Sequence, residues 1–311
     1  MGVAGWVSFL AGSWLYVNRC VHPSKTLRLF SLAWDCVKKR SFEKNMLSSG
    51  GNYSDKLVWD LQLVVRQIPI FVCLIPLYGG QLQIITTLRA MDNFMVFPAR
   101  KGFFSHPELL VAAEPATMFV MSLLLNEVIY PLLKRKRNIV VTHLMRLVIA
   151  SGIIAIGFVF CLLIARRLSA SDIASPISIL WTLGPIVLFA TGQLLVTSSA
   201  MELSWSHAPD SLNSVSVAIF SSIYAVGSVI AVGLFGAFRG FINPSNLSQG
   251  AETFATSQSG IVYFAVNAGL CGLSVVGLLS LRGFYARTRE MIIERDIEQR
   301  AIEIALARLE K

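Results

Sequence analysis

The chain has 311 residues, of which 54% are hydrophobic and only 14% charged, and its mean hydropathy is +0.63. A soluble domain is about 25% charged, so a water-facing surface of this size could not be covered, and soluble-enzyme, disordered, collagen-like and coiled-coil classes are excluded. The net charge of +9 reads as basic loops of an all-α polytopic membrane protein and not as a nucleic-acid surface.

Taken in chain order, Gly2–Asn18 is a short uncharged apolar run followed by Arg19. It lacks the basic start of a cleaved leader and reads as a partial transmembrane helix with its N-terminus outside. A basic cytoplasmic loop follows over residues 19–60, with eight Lys/Arg between Arg19 and Lys56. Six runs then approach or exceed the ~20 apolar residues that a crossing helix needs: Ile68–Leu88, Leu109–Leu133, Ile139–Ala165, Ile177–Leu203, Asn213–Phe238 and Gly260–Leu281. They form a six-span bundle over residues 61–282, closed by a charged helical tail over 283–311. That tail carries a narrow apolar stripe of Ile293, Ile297, Ala301 and Ile304. Loops on the basic side hold 19 Lys/Arg and those on the other side six. The positive-inside rule then places the N-terminus outside and the C-terminus in the cytoplasm, which puts the sequon at Asn246 outside and the one at Asn52 inside.

Polar groups at membrane depth are costly, so each is a candidate by default. Glu114 heads them, in Ala113-Glu114-Pro115 with no basic residue within a turn; it reads either as a functional carboxylate or as a wet interfacial one. Gln81 and Gln83 stand beside Pro76, Gly79 and Gly80, where a broken backbone either lines a cavity or kinks a packing helix. Gln193 and Asn267 read as interhelical bonding groups. Glu202 reads as a snorkelling carboxylate, and Glu127 as linked to the basic turn Lys134-Arg135-Lys136-Arg137. The small residues Ala218, Ser222, Ala225, Gly227, Ser228 and Ala231 mark a close-packing or rocking face. His22, His106, His143 and His207 are scattered, and Cys20, Cys36, Cys73, Cys161 and Cys271 show no paired spacing. No metal or cofactor site is expected, and no paired catalytic groups support an enzyme.

Three stretches resemble the proton-dependent oligopeptide transporter (POT/PTR) family of the major facilitator superfamily. Ile68-Pro69-Ile70-Phe71 … Pro76-Leu77-Tyr78 … Gln81-Leu82-Gln83 is similar to the opening of the family's seventh helix. Glu114-Pro115 … Tyr130-Pro131-Leu132-Leu133-Lys134-Arg135-Lys136 resembles its Asn-Pro … Tyr-Pro-Leu-Leu-Arg-Lys eighth helix. Gly192-Gln193 … Glu202-Leu203-Ser204-Trp205-Ser206-His207-Ala208-Pro209 is similar to Gly-Glu … Leu-Glu-Phe-x-Tyr-x-Gln-Ala-Pro. The resemblance covers about residues 1–285 and only the second half of the family's twelve helices: Gly2–Asn18 matches the end of helix six and the long runs match helices seven to twelve. The first-helix Glu-x-x-Glu-Arg-Phe proton motif has no counterpart.

The resemblance implies a proton-coupled secondary transporter of oligopeptides or similar small solutes, an integral protein of the plasma membrane whose partners are the solute, protons, the bilayer and an N-terminal bundle, here absent and expected in another chain or upstream. The alternatives are a non-transporting membrane assembly subunit and a truncated gene product. By the same resemblance Glu114, Gln193, Tyr78, Gln81 and Phe220 are the expected substrate-binding residues, with Pro76, Pro115, Glu202 and Pro209 as structural or gating residues. The family's helix-eight asparagine and helix-ten glutamate are replaced by Glu114 and Gln193, so the carboxylate has moved to the neighbouring helix. Phe220 stands where the family often carries Trp.

Overall fold

The structure, a computed structural model, describes residues 23–39, 41–83, 88, 95, 108–137, 141–170, 178–209, 212–242 and 258–293. Gly2–Asn18, Asn246, the tail beyond 293 and the side chains of Gln81 and Gln83 lie outside the described residues. All regular structure described is helical: α1 (Pro23–Lys39), α2 (Asp55–Cys73), α3 (Ile75–Gln83), α4 (Glu108–Leu123), α5 (Tyr130–Arg137), α6 (His143–Ala170), α7 (Leu183–Ser206), α8 (Asn213–Ile242) and α9 (Gln258–Ser280). Beyond a turn at Leu281 the chain is helical again over 282–293. It divides into two units, Met1–Val65 and Arg66–Lys311.

In the first unit, α1 lays Leu32 and Cys36 on Met46, Val58 and Leu61. The connection between α1 and α2 is a compact turn. Gly50 adopts φ +81°, which a side chain rarely tolerates, and the Gly51 N–H then donates to the Met46 carbonyl at 2.7 Å. The Asn45 amide donates to the Ser41 carbonyl at 3.0 Å. The Ser48 N–H donates to Asp55 at 3.2 Å and holds that carboxyl below the usual carboxylate range.

Among its described residues, the second unit contains five helices of membrane-crossing length and composition, Ala112–Arg135, His143–Leu168, Ile179–Ser206, Asn213–Phe238 and Gly260–Ser280. Each coincides with a run read from the sequence. The remaining run, Ile68–Leu88, is broken: α2 ends at Cys73, Leu74 forms a turn, and α3 starts at Ile75. Pro76 has no N–H to offer the Val72 carbonyl. The chain tightens there instead, with the Leu74 N–H on Phe71 O and the Leu77 N–H on Leu74 O, both at 3.0 Å. A second irregularity is the π-helical stretch Leu124–Ile129, in which the Tyr130 N–H reaches back to Leu125 O. Pro131, one residue on, cannot supply an ordinary i→i−4 bond.

α6 is the centre of the bundle. Leu144, Leu147, Ala150, Ile154, Phe158, Cys161, Ile164 and Ala165 are all buried and form one broad apolar stripe, while Met145, Ile149, Ile156, Val159 and Leu163 on the other side are exposed. It runs along both α7 and α9, while α3 pairs with α8 and α4 with α7. Glycines permit the close approaches. Phe189 of α7 sits over Gly157 of α6, and Ile154 of α6 sits over Gly192 of α7. The Phe158 and Phe189 rings meet edge to face at 4.9 Å. Across α3 and α8, a Cβ on Gly227 would stand 2.8 Å from Ile75 O and 2.9 Å from Tyr78 Cβ.

The small-residue stripe of α8 therefore divides. Gly227 and Ala231 are packed inward, whereas Ala218, Ser222 and Ala225 are exposed. Asn267 donates to Tyr263 O of its own helix at 2.9 Å instead of bonding across to a neighbour. Cys36, Cys161 and Cys271 are buried free thiols.

Gly227→Leu drives a side chain into backbone and is expected to cost roughly 1–3 kcal/mol. Gly233→Leu, where nothing lies within 4 Å, serves as the control. Thermal unfolding in detergent should show a lowered midpoint for the first and no change for the second.

Candidate functional site

The expected binding residues fall into two settings. Tyr78 and Phe220 come together inside the bundle, at the α3–α8 crossing that Gly79 and Gly227 allow. Their rings are 6.0 Å apart, with Phe71 at 5.7 Å from Phe220 and Tyr224 at 4.9 Å from Tyr78. Tyr78 is completely buried, and its hydroxyl has no hydrogen-bond partner among the described residues. A buried unpaired hydroxyl is costly, so this atom can serve a water or a polar ligand group. Below it, Ser216 of α8 donates to Gln67 Oε1 at 2.7 Å, and the Gln67 amide nitrogen is likewise buried and unsatisfied.

Glu114 and Gln193 are both half-buried, on α4 and α7, which pack together. Neither side chain makes a hydrogen bond to a described residue. Gln193 follows Gly192, the point where α7 presses on Ile154. Glu114 precedes Pro115, which is exposed within α4. Just beyond, the Thr117 hydroxyl donates to Ala113 O at 2.7 Å, a local bond that competes with the helix ladder. No residue of the apolar core of this span is buried, against 56% for the α7 span, so α4 presents most of its surface outward.

Pro76 and Pro209 sit at breaks in the chain. Pro76 follows the α2–α3 break. The Pro209 carbonyl accepts the Leu212 N–H at 2.8 Å, closing the turn that starts α8. Glu202 joins a cluster at the end of α7. The Arg146 guanidinium donates to Glu202 Oε2 at 2.9 Å, and His143 Nδ1 lies 3.4 Å from the same oxygen. Arg146 also stacks over the Tyr130 ring at 4.5 Å, a cation–π contact. The His143 ring is 5.9 Å from His207, and His207 is 5.4 Å from Tyr285. Ser206 Oγ and His207 Nδ1 are 2.9 Å apart. Four segments thus converge: α5, the start of α6, the end of α7 and the helical stretch 282–293. Arg66 of α2 is drawn toward the same stretch by a 3.1 Å contact to Met291 Sδ.

Glu202 is therefore an ion-pair partner and not simply a snorkelling group. Glu127 is exposed and forms no ion pair with Lys134 or Arg135, the two described side chains of the basic turn; the link read from the sequence is not made there. Of the histidines read as scattered, His143 and His207 meet, while His22 and His106 lie outside the described residues. The available signal was positional. His143 and Arg146 share a face at the start of one span, and Glu202 and His207 end the next, so an antiparallel pair brings them together.

Burial, reinforced by His143 and Arg289, pulls His207 down to about 4. Its folded value lies below its unfolded value of about 6.5, so the unfolded state takes up the proton first. Stability is full above about pH 6.5 and falls as pH drops toward 4. In detergent unfolding between pH 7.5 and 4.5, His207→Gln should reduce that slope by as much as about 1.4 kcal/mol per pH unit. A slope unchanged by the substitution would contradict the assignment.

Residues 9–243 match a family model described as PTR2, POT family. Among curated relatives, the Arabidopsis thaliana protein NRT1/PTR FAMILY 5.4 is 25% identical over 190 residues, covering 57% of this chain and 34% of its own length. Solute carrier family 15 member 3 of Mus musculus is 23% identical over 263 residues, covering 74% of this chain and 45% of its own. Among solved structures, an auto-inhibited POT family peptide transporter superposes with a TM-score of 0.62 at 22% identity, over 75% of this chain and 42% of that one. The POT family transporter PepTSo does so with a TM-score of 0.58 at 21% identity, over 77% and 44%. The chain spans less than half the length of each of these relatives, and at these identities the structural matches speak for the fold.

Proposed function

This chain belongs to the POT family, and we propose that it is the C-terminal six-helix bundle of a proton-coupled transporter of oligopeptides or similar small solutes, working with an N-terminal bundle. The match over residues 9–243 carries this reading. Facilitator transporters hold the solute at the midplane between two bundles that rock against each other. A single bundle has half a site and nothing to alternate against, which agrees with the outward-facing α4.

In this reading Glu114 supplies the one negative charge of the pocket and holds a cationic amino terminus, while Gln193 contributes a neutral hydrogen bond from the facing helix. The half-burial of both, and the absence of a hydrogen bond from either side chain to a described residue, support the assignment. Gln81, Tyr78 and Phe220 are assigned to the same half-site on the neighbouring α3–α8 pair, where the Tyr78 hydroxyl, without a partner among the described residues, is a further polar group. Pro76, Pro115 and Pro209 mark the places where backbone bonding is interrupted and bending is cheap. Glu202 fastens α7 to α6 at the inner end. The loop charges support an orientation with the N-terminus outside and the C-terminus in the cytoplasm, and the plasma membrane is the location that the family resemblance implies.

The test is uptake of a labelled dipeptide into vesicles holding this chain together with an N-terminal bundle of the family, under an inward proton gradient. Uptake should exceed that of either half alone and collapse with a protonophore. Glu114→Gln should lower it by about tenfold, the loss of one charge-assisted contact. Absence of uptake by the paired halves contradicts the transport reading, and unchanged uptake in Glu114→Gln contradicts the site.

A further inference from the structure

The first unit carries a face that none of its described residues covers. α1 turns Leu32 and Cys36, 0% and 6% exposed, onto Met46, Val58 and Leu61. In a helix, residues two apart project about 200° from each other. Trp34 is two residues from both, so it points away from that small core. Val37 follows three positions later on the same side as Trp34, and each is 72% exposed. Lys38, four residues after Trp34, and Lys39 are exposed as well.

The acidic residue of α1 is engaged elsewhere, since Asp35 accepts the Tyr53 hydroxyl at 2.8 Å. Residues 19–56 hold eight Lys/Arg against the three acids Asp35, Glu43 and Asp55. The unit is also tied to the bilayer by its own chain, because α2 runs unbroken from Asp55 to Cys73 and enters the first long apolar run at Ile68.

We propose that the Trp34–Val37 face of α1, with Lys38 and Lys39, lies on an anionic lipid surface. The physical reasons are joint. An exposed indole is at its best in the headgroup region, where its ring is shielded and its N–H stays wet. Val37 beside it adds apolar area. The lysines keep their ammonium groups in water while being drawn to negatively charged headgroups. A helix with an apolar-aromatic stripe and a basic edge lies in the plane of such a surface. The excess of basic over acidic residues selects anionic over zwitterionic lipid. This binding is independent of transport, so failure of the uptake test leaves it standing.

The test uses the full chain reconstituted in vesicles of phosphatidylcholine and phosphatidylserine in a 7:3 ratio. Val37 is replaced by the photo-crosslinker p-benzoylphenylalanine, a change at an exposed position, and helicity and elution volume verify the fold. After illumination, the adducts are identified by mass spectrometry. The expected result is lipid adducts, with phosphatidylserine enriched over its share of the mixture. That enrichment should fall by about fivefold with Lys38→Gln and Lys39→Gln together, and also in 0.5 M salt. An adduct to protein, no adduct, or lipid adducts in the bulk ratio would each overturn the proposal.

Discussion

The arrangement rests on how closely α6 and α7 approach. Two glycines set the distance: Gly157 receives Phe189, and Gly192 receives Ile154. In a membrane the lipid tails are as apolar as the side chains, so association depends on packing and on the few polar bonds available. That seam fixes the register of α7. Gln193 lies next to Gly192 in the middle of the helix, and Glu202 arrives beside Arg146 and His143 at its end. A slip of one turn would move both groups, so packing in the interior governs the polar sites at two depths.

The same logic explains where the backbone is irregular. Helical segments dominate a membrane interior because each bonds its own backbone groups. Three departures in the second unit, at Leu74, at Leu124–Ile129 and in the Pro209 turn, contain a proline or lie within two residues of one. Two of these fall within a membrane run, where flexibility is otherwise scarce. The Tyr78–Phe220 pair sits directly beyond the Leu74 break, and Glu114 immediately precedes Pro115. Polar or aromatic groups of interest thus sit beside backbone that can bend.

Much of the fold was legible in the sequence because the bilayer imposes a length. The long runs read from apolar content overlap α6 through α9 over most of their lengths, and Asn213 is the first residue of α8 in both. The break in the first run was legible as chemistry, from Pro76 and its glycine neighbours, but its exact residue was not. The helix within the basic segment 19–60 carries too few apolar residues to register as a span. Sites were legible in part. Glu114 stood out because charge at depth is rare. The His143, Arg146, Glu202, His207 cluster was hidden, because its members lie up to 64 positions apart in sequence and only the antiparallel pairing of α6 and α7 unites them. The Tyr78–Tyr224–Phe220 contact was hidden for the same reason: it depends on a glycine crossing, and a glycine in an apolar run does not announce its neighbour.

In the proposed function this bundle works as half of a proton-coupled carrier. The most direct measurement is the internal pH of vesicles loaded with a pH-sensitive dye, followed after a dipeptide is added outside. With this chain and an N-terminal bundle reconstituted together, the lumen should acidify on addition of the dipeptide, and with this chain alone it should not. Acidification by this chain alone, or none with both halves present, would contradict the account.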